Sequence, residues 1–269
     1  MGIRIITALL GIPLLIFIIL SGGWILKISL SVFVLIGLYE FYKAMDKKFK
    51  PIKSIGFVFT LLYILFVASN QQFYFLFVIL FLITLLLSTI FLHKKYNIVD
   101  GAITFFGFFY ICILLSYIIH INNFLYGEIY IWLIFISAWG SDTAAYFTGI
   151  FLGKHKLCPS LSPKKTIEGA IGGFVGSALL SLLYGVVIQS YVNITITNFP
   201  LICAIIGGLG SIASQLGDLA ASSIKRYVDI KDYGYLFPGH GGVLDRFDSI
   251  LFTAPFVYYI VLLINYLMA

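Results

Sequence analysis

The chain has 269 residues, of which 61% are hydrophobic and only 10% charged, and its mean hydropathy is +1.06. That is more apolar side chain than a soluble domain can bury, which excludes a water-soluble globular enzyme and points to a membrane-spanning chain. The net charge of +6 calls for no nucleic-acid partner, because lysines and arginines kept on the cytoplasmic side beside anionic headgroups account for it.

Taken in chain order, apolar runs of about 18 to 23 residues, long enough to cross a ~30 Å hydrocarbon core, fall at roughly 4–21, 24–42, 54–70, 73–92, 101–121, 129–152, 168–190, 199–224 and 249–267. The expected fold is therefore an all-α polytopic integral membrane protein with about nine transmembrane helices. The first run lacks an A-x-A cleavage site and reads as a retained helix. With nine spans, one side of the membrane holds Arg4, Lys43, Lys47, Lys48, Lys50, Lys53, Lys94, Lys95, Lys154, Lys156, Lys164, Lys165, Lys225, Arg226, Lys231 and Arg246, leaving only Lys27 on the other. The positive-inside bias makes the first side cytoplasmic, puts the N-terminus there and places the C-terminus outside. Cys112, Cys158 and Cys203 have no metal-ligand spacing and read as packing residues without a disulfide.

Polar residues divide the chain into two regions. Residues 1–125, about five spans, read as a lipid-facing scaffold in which Glu40 is the one unusual feature. Residues 126–269, about four spans, carry the chemistry, with cytoplasmic loops at 153–167 and 225–248. Asp142, in ISAWGSDTAAYFTGIFLGKHKL, is too costly to expose to hydrocarbon and must face a bundle interior or a watery cavity, where Ala138, Ala145 and Gly149 leave room; a structural carboxylate is the plainer alternative. In the following CPSLSPKKTIEGAIGG, Ser162 and Pro163 read as a turn, Lys164 and Lys165 as paired positive charge, and Thr166 as the residue before a helix. A lysine pair before a membrane helix is also an ordinary topology signal.

In GSIASQLGDLAASSIKR, Ser211, Gln215, Asp218, Ser222 and Lys225 recur on one helical face as a polar stripe, which suits an active-site wall, a transport pathway or interhelical hydrogen bonding. The stripe leads into KDYGYLFPGHGGVLDRFDS, part of a connection longer than helix pairs usually need. Gly239, Gly241 and Gly242 around His240 would let backbone N–H groups turn toward an anion. Asp245 and Asp248, three apart, share a helix face, and hard oxygens in such a pair suit Mg²⁺, while Lys231 and Arg246 add phosphate-binding charge.

At the level of motifs, SSIKRYVDIKDYGYLFPGHGGVLDRFD (Ser222 to Asp248) resembles the signature of the phosphatidate cytidylyltransferases, also called CDP-diacylglycerol synthases: Ser, Lys-Arg, Lys-Asp, a Pro before Gly-His-Gly-Gly, then Asp-Arg-x-Asp. SDTAAYFTG, LSPKKTIEG and SQLGDLAASSIKR are similar to that family as well, in the expected order. The resemblance implies an enzyme of phospholipid biosynthesis that joins phosphatidate to the cytidylyl group of CTP, releasing pyrophosphate, in a bacterial cell membrane with its site facing the cytoplasm. It implies Mg²⁺, with room for a second cation, on Asp218, Asp245 and Asp248. Lys225, Arg226 and Arg246 would bind the triphosphate or the lipid phosphate. Asp142, Ser162, Lys164, Lys165, Thr166, Ser222, Lys231, Gly239, His240, Gly241 and Gly242 would complete the substrate sites, His240 by binding rather than by taking a proton. Membrane lipids surround the enzyme, a homodimer is allowed for, and no nucleic acid is expected.

Two rival classes fit parts of the pattern. A CTP-dependent lipid-alcohol kinase also needs a cytoplasmic nucleotide site, but it transfers the γ-phosphate to an alcohol that needs a base. A secondary transporter could use Asp142 and Asp218 to couple ions, yet it has no use for the glycine-rich segment.

Overall fold

The computed structural model describes residues 2–68, 71–236 and 241–268. Its helices are α1 (Gly2–Ser21), α2 (Gly23–Met45), α3 (Lys53–Leu62), α4 (Tyr74–Phe91), α5 (Ile98–Gly107), α6 (Leu114–Asn122), α7 (Gly127–Phe135), α8 (Ser141–Leu152), α9 (Ile167–Tyr191), α10 (Phe199–Tyr227) and α11 (Leu244–Met268). Single π-helical stretches, Phe108–Ile113 and Ile136–Gly140, join α5 to α6 and α7 to α8. In hydrocarbon every backbone N–H and C=O must be satisfied within its own segment, which is why the apolar runs become helices.

Among the described residues, six helical stretches are long and apolar enough to cross a membrane: Gly23–Met45, Tyr74–Phe91, Ile98–Asn122, Ile167–Tyr191, Phe199–Tyr227 and Leu244–Tyr266. Lys53–Phe66 is apolar but shorter. The run at 127–152 is helical throughout, but Ser141, Asp142 and Thr143 dilute its apolar character. The side chains of α4 show the membrane solvent plainly, since only Phe81 and Leu85 of its eighteen residues are buried.

The all-α expectation holds apart from a short antiparallel hairpin, β1 (Lys156–Cys158) and β2 (Ser162–Thr166). Ser162 and Pro163 thus lie in a strand, and the turn expected at them falls at 159–161, closed by the Leu161 N–H on the Cys158 carbonyl at 3.3 Å. Proline has no N–H to give to a ladder, and the hairpin register is irregular between Lys156 and Cys158.

Contacts divide the chain into two compact units, Met1–Phe124 with Lys225–Phe247, and Leu125–Ile224 with Asp248–Ala269. The segment 225–247 groups with the N-terminal helices in the first unit. In that first unit α2 is central: Val34, Leu38, Phe41 and Tyr42 are fully buried. Gly56 and Gly107 leave space for the Tyr42 and Phe41 rings, and the Tyr42 hydroxyl donates to the Thr104 carbonyl at 2.8 Å. Helix α5 opens with a reciprocal cap between Asn97 and Asp100, and Asp100 also accepts the Lys50 N–H at 2.7 Å, tying the turn after α2 to α5.

In the second unit α8 and α9 meet through small residues. A Cβ at Gly172 would collide with Thr148 and one at Gly176 with Ala144, while Gly169 sits against the Ala145 carbonyl. Helix α10 packs on α9 with Ser177 Oγ donating to the Gly207 carbonyl at 2.9 Å. At Gly217 it approaches α11 so closely that a Cβ would lie 2.8 Å from the Asp248 carbonyl oxygen. Cys112 and Cys203 are buried and Cys158 is half-buried.

Candidate active site

In the first unit the site is built on the segment that follows α10. Lys225, in the last turn of α10, gives its ammonium to Asp245 Oδ1 at 3.0 Å, with side chains only 13% and 4% exposed. Oδ2 of Asp245 accepts two backbone N–H groups, Tyr233 at 2.8 Å and Gly242 at 3.0 Å. One carboxylate thus joins the end of α10, the middle of the segment and the start of α11. The Lys225 ammonium also lies 5.4 Å from the centroid of the Tyr233 ring. Arg226, Lys231 and Arg246 are exposed, where a charged ligand can reach them.

The glycines divide by function. Gly241 has φ +85°, a left-handed conformation that glycine adopts without a Cβ penalty, and a methyl there would press on Asp245. The N–H of Gly242 was expected to face a ligand anion, but it faces the protein's own Asp245 carboxylate. The next two N–H groups, of Val243 and Leu244, are taken by Glu40 at 3.0 and 2.8 Å. Gly239 and His240 lie outside the described residues.

In the second unit a cavity of about 320 Å³ lies between α8, the hairpin, the start of α9 and α10, lined by Asp142, Tyr146, Lys164, Lys165, Thr166 and Gln215 among others. Asp142, Ala145 and Gly149 line this cavity, whereas Ala138, expected on the same side, is fully buried and outside its lining. Thr166 caps α9 through Oγ1, which accepts the Gly169 N–H at 3.1 Å. Lys165 pairs with Asp218, both about a quarter exposed. Gln215 Nε2 donates to the Ala170 carbonyl at 3.1 Å, joining α10 to α9 at the cavity wall. Lys164 is exposed, and Ser162 and Ser222 are half-buried. From the α10 stripe, Ser211 is fully buried and bonds back to the Gly208 carbonyl at 2.7 Å, a packing role within its own helix.

Sequence reasoning gave no role to two further carboxylates. Glu168 accepts the N–H groups of Lys154 and His155 at 3.1 and 3.2 Å and lies 2.6 Å from His155 Nδ1, so it holds the chain leaving α8 against the start of α9. Glu40 is the other, and its signal was visible: a carboxylate inside an apolar run must have strong partners.

A hard divalent cation is satisfied by one or two carboxylates plus substrate phosphate oxygens. Asp218 and Asp248 come from the α10–α11 crossing that Gly217 permits, and Asp218 already draws an ammonium group. The carboxylate of Asp218 suits such an ion, while that of Asp248 is 8% exposed and its Oδ1 accepts the Ser249 N–H at 2.9 Å. Asp245 fits less well, because both of its oxygens are engaged. Among the described residues no group of three or more His, Cys, Asp or Glu side chains is gathered to hold a metal ion.

A family model for the cytidylyltransferase family matches residues 2–264. Phosphatidate cytidylyltransferase of Bacillus subtilis (strain 168) is 34% identical over 274 residues, covering 97% of this chain and 98% of the relative. Enzymes of the same name from Staphylococcus epidermidis and Synechocystis sp. are 32% and 33% identical, over 95% and 97% of this chain and 96% of each relative.

Proposed function

The chain belongs to the cytidylyltransferase family, and from that premise we propose that it transfers the cytidylyl group of CTP to phosphatidate, giving CDP-diacylglycerol and pyrophosphate in phospholipid biosynthesis. What carries the reading is the end-to-end similarity to enzymes of that name, over 97% of the chain for the B. subtilis relative. In the reaction a phosphatidate oxygen attacks the α-phosphorus of CTP, and the bond from that phosphorus to the oxygen bridging to the β-phosphate breaks. Near pH 7 the lipid phosphate is already ionised, so no base has to take a proton from it. The obstacle is negative charge approaching negative charge.

The residues that meet this obstacle are cationic. Lys225, Arg226, Lys231 and Arg246 would bind phosphate oxygens on the segment after α10, and Lys164 and Lys165 would do so at the cavity beside α9. Ser162, Thr166, Ser222, Gly241 and Asp142 complete the assigned substrate sites. Asp218 and Asp248 would hold Mg²⁺, which when bound would neutralise phosphate charge. Acyl chains stay in the bilayer, which gives the enzyme its reason to be a membrane protein.

The finer topology belongs to the same proposal: nine spans, N-terminus and active site on the cytoplasmic face, C-terminus outside. Its support is the sorting of basic residues onto one side. The relatives are bacterial, so the membrane is assigned to the bacterial cell. The test is pyrophosphate release by the purified protein in detergent with CTP, phosphatidate and Mg²⁺. Release in step with CDP-diacylglycerol supports the reading, and release that ignores phosphatidate contradicts it.

A further inference from the structure

Glu40 lies in α2, five residues before its end, and is 5% exposed between the fully buried Leu38, Phe41 and Tyr42. A carboxylate in such a place is costly unless its oxygens are bonded. Both are: Oε1 accepts the N–H of Val243 at 3.0 Å and Oε2 that of Leu244 at 2.8 Å, more than two hundred residues along the chain. Those N–H groups open α11, where a helix has no internal acceptors and its dipole favours an anion. Gly234 and Gly242 close over the carboxylate, and a Cβ on either would collide with it.

From this geometry we infer that Glu40 is a positioning residue for cytidylyl transfer, a buried anion from α2 that fixes the start of α11 and, through it, the Asp245–Lys225 pair and Arg246. The link is short. Residues 243 and 244 are held by Glu40, Asp245 follows directly, and Asp245 then takes Gly242, Tyr233 and Lys225. The turn after α2 steadies the other end of the segment. Lys47 Nζ donates to the Asp229 carbonyl at 3.0 Å, and the Phe49 ring stacks on Tyr227 with centroids 6.3 Å apart. The N-terminal helices therefore do more than face lipid: α2 sets the shape of a segment whose chemistry lies in the other half of the sequence. The inference rests on the proposed function for its kinetic arm alone.

The test combines Glu40→Gln, Gly242→Ala and the double variant, read by kinetics and by limited chymotrypsin digestion in detergent. Glutamine leaves one acceptor oxygen for two N–H groups and puts an NH₂ against the other, while the methyl that Gly242→Ala adds pushes the carboxylate off both. Each single variant should lose about 10- to 100-fold in kcat/KM for CTP, as loss of hydrogen bonds to a charged group implies. Cleavage near Tyr233 and Tyr235 should rise while the rest of the digest stays as in the parent. Because both changes break one contact, the double variant should be no more than about three-fold worse than the poorer single. Parent-like digestion and kinetics for Glu40→Gln, effects that multiply in the double variant, or cleavage spread evenly along the chain would each overturn the inference. Should Glu40→Gln fail to accumulate, Gly242→Ala decides by the same two readouts. A parent protein without transferase activity would sink the proposed function, and the digestion would still judge Glu40.

Discussion

Asp245→Asn changes one atom's chemistry at the point where the most connections meet. In the parent, Oδ1 faces the Lys225 ammonium at 3.0 Å and Oδ2 faces two N–H groups, of Tyr233 and Gly242. An amide has only one oxygen. If that oxygen stays with the two N–H groups, the NH₂ confronts the ammonium; if it turns to Lys225, the NH₂ confronts two donors. Lys225 is 13% exposed and Asp245 4%, so solvent repairs little of the loss, and breaking a pair buried to this degree costs up to about 3–5 kcal/mol. Part of that will be relieved by local rearrangement, which leaves an expected fall in kcat/KM of at least about 100-fold, equivalent to about 2.7 kcal/mol. Initial rates in detergent across a Mg²⁺ series provide the measurement. The double variant Lys225→Met with Asp245→Asn removes the lysine charge that the single change strands, so it should be more heat-stable than Asp245→Asn alone while remaining inactive. Activity of Asp245→Asn within about three-fold of the parent at ordinary Mg²⁺ would refute both the ion-pair argument and any metal role for this residue.

Gly241→Ala adds a methyl at φ +85° and sets it 2.9 Å from Asp245 Oδ2; the backbone strain alone is about 1–2 kcal/mol, and a raised KM for CTP with a lower kcat is expected from steady-state kinetics. Lys165→Met removes the partner of Asp218 from the cavity mouth, and since the pair is about a quarter exposed, the melting temperature should hardly move while kcat/KM falls about ten-fold or more. Single cysteines at Lys47 or Lys156, in a background without the native three, should react with an impermeant maleimide only after the cytoplasmic face is opened, and those at Asn123 or Asn193 in sealed cells.

The sequence made the helices legible because a hydrocarbon solvent leaves the backbone few alternatives, and it made the α10 stripe legible because helical spacing puts Gln215 and Asp218 on one face. Asp142 was found by its cost, and the structure sets it at a cavity. Partners distant in the chain left no such pattern. Glu40 stood out as a charge in an apolar run, but nothing in its neighbourhood named Val243 and Leu244. The anion facing Gly242 was expected to be a ligand, and Asp245 takes that place through a local cap three residues on. The hairpin at 156–166 escaped notice because its strands are too short for alternation to be read, and a Ser-Pro pair reads as a turn by itself.

The most direct test of the transferase reading follows the two ends of the nucleotide separately. Purified protein in detergent is given phosphatidate and Mg²⁺ with CTP labelled either at the α- or at the γ-phosphate, and the lipid is extracted and counted. Cytidylyl transfer places the α-label in the lipid and the γ-label in pyrophosphate, one of each per turnover. Label from the γ-position in the lipid, or none from the α-position, would contradict it.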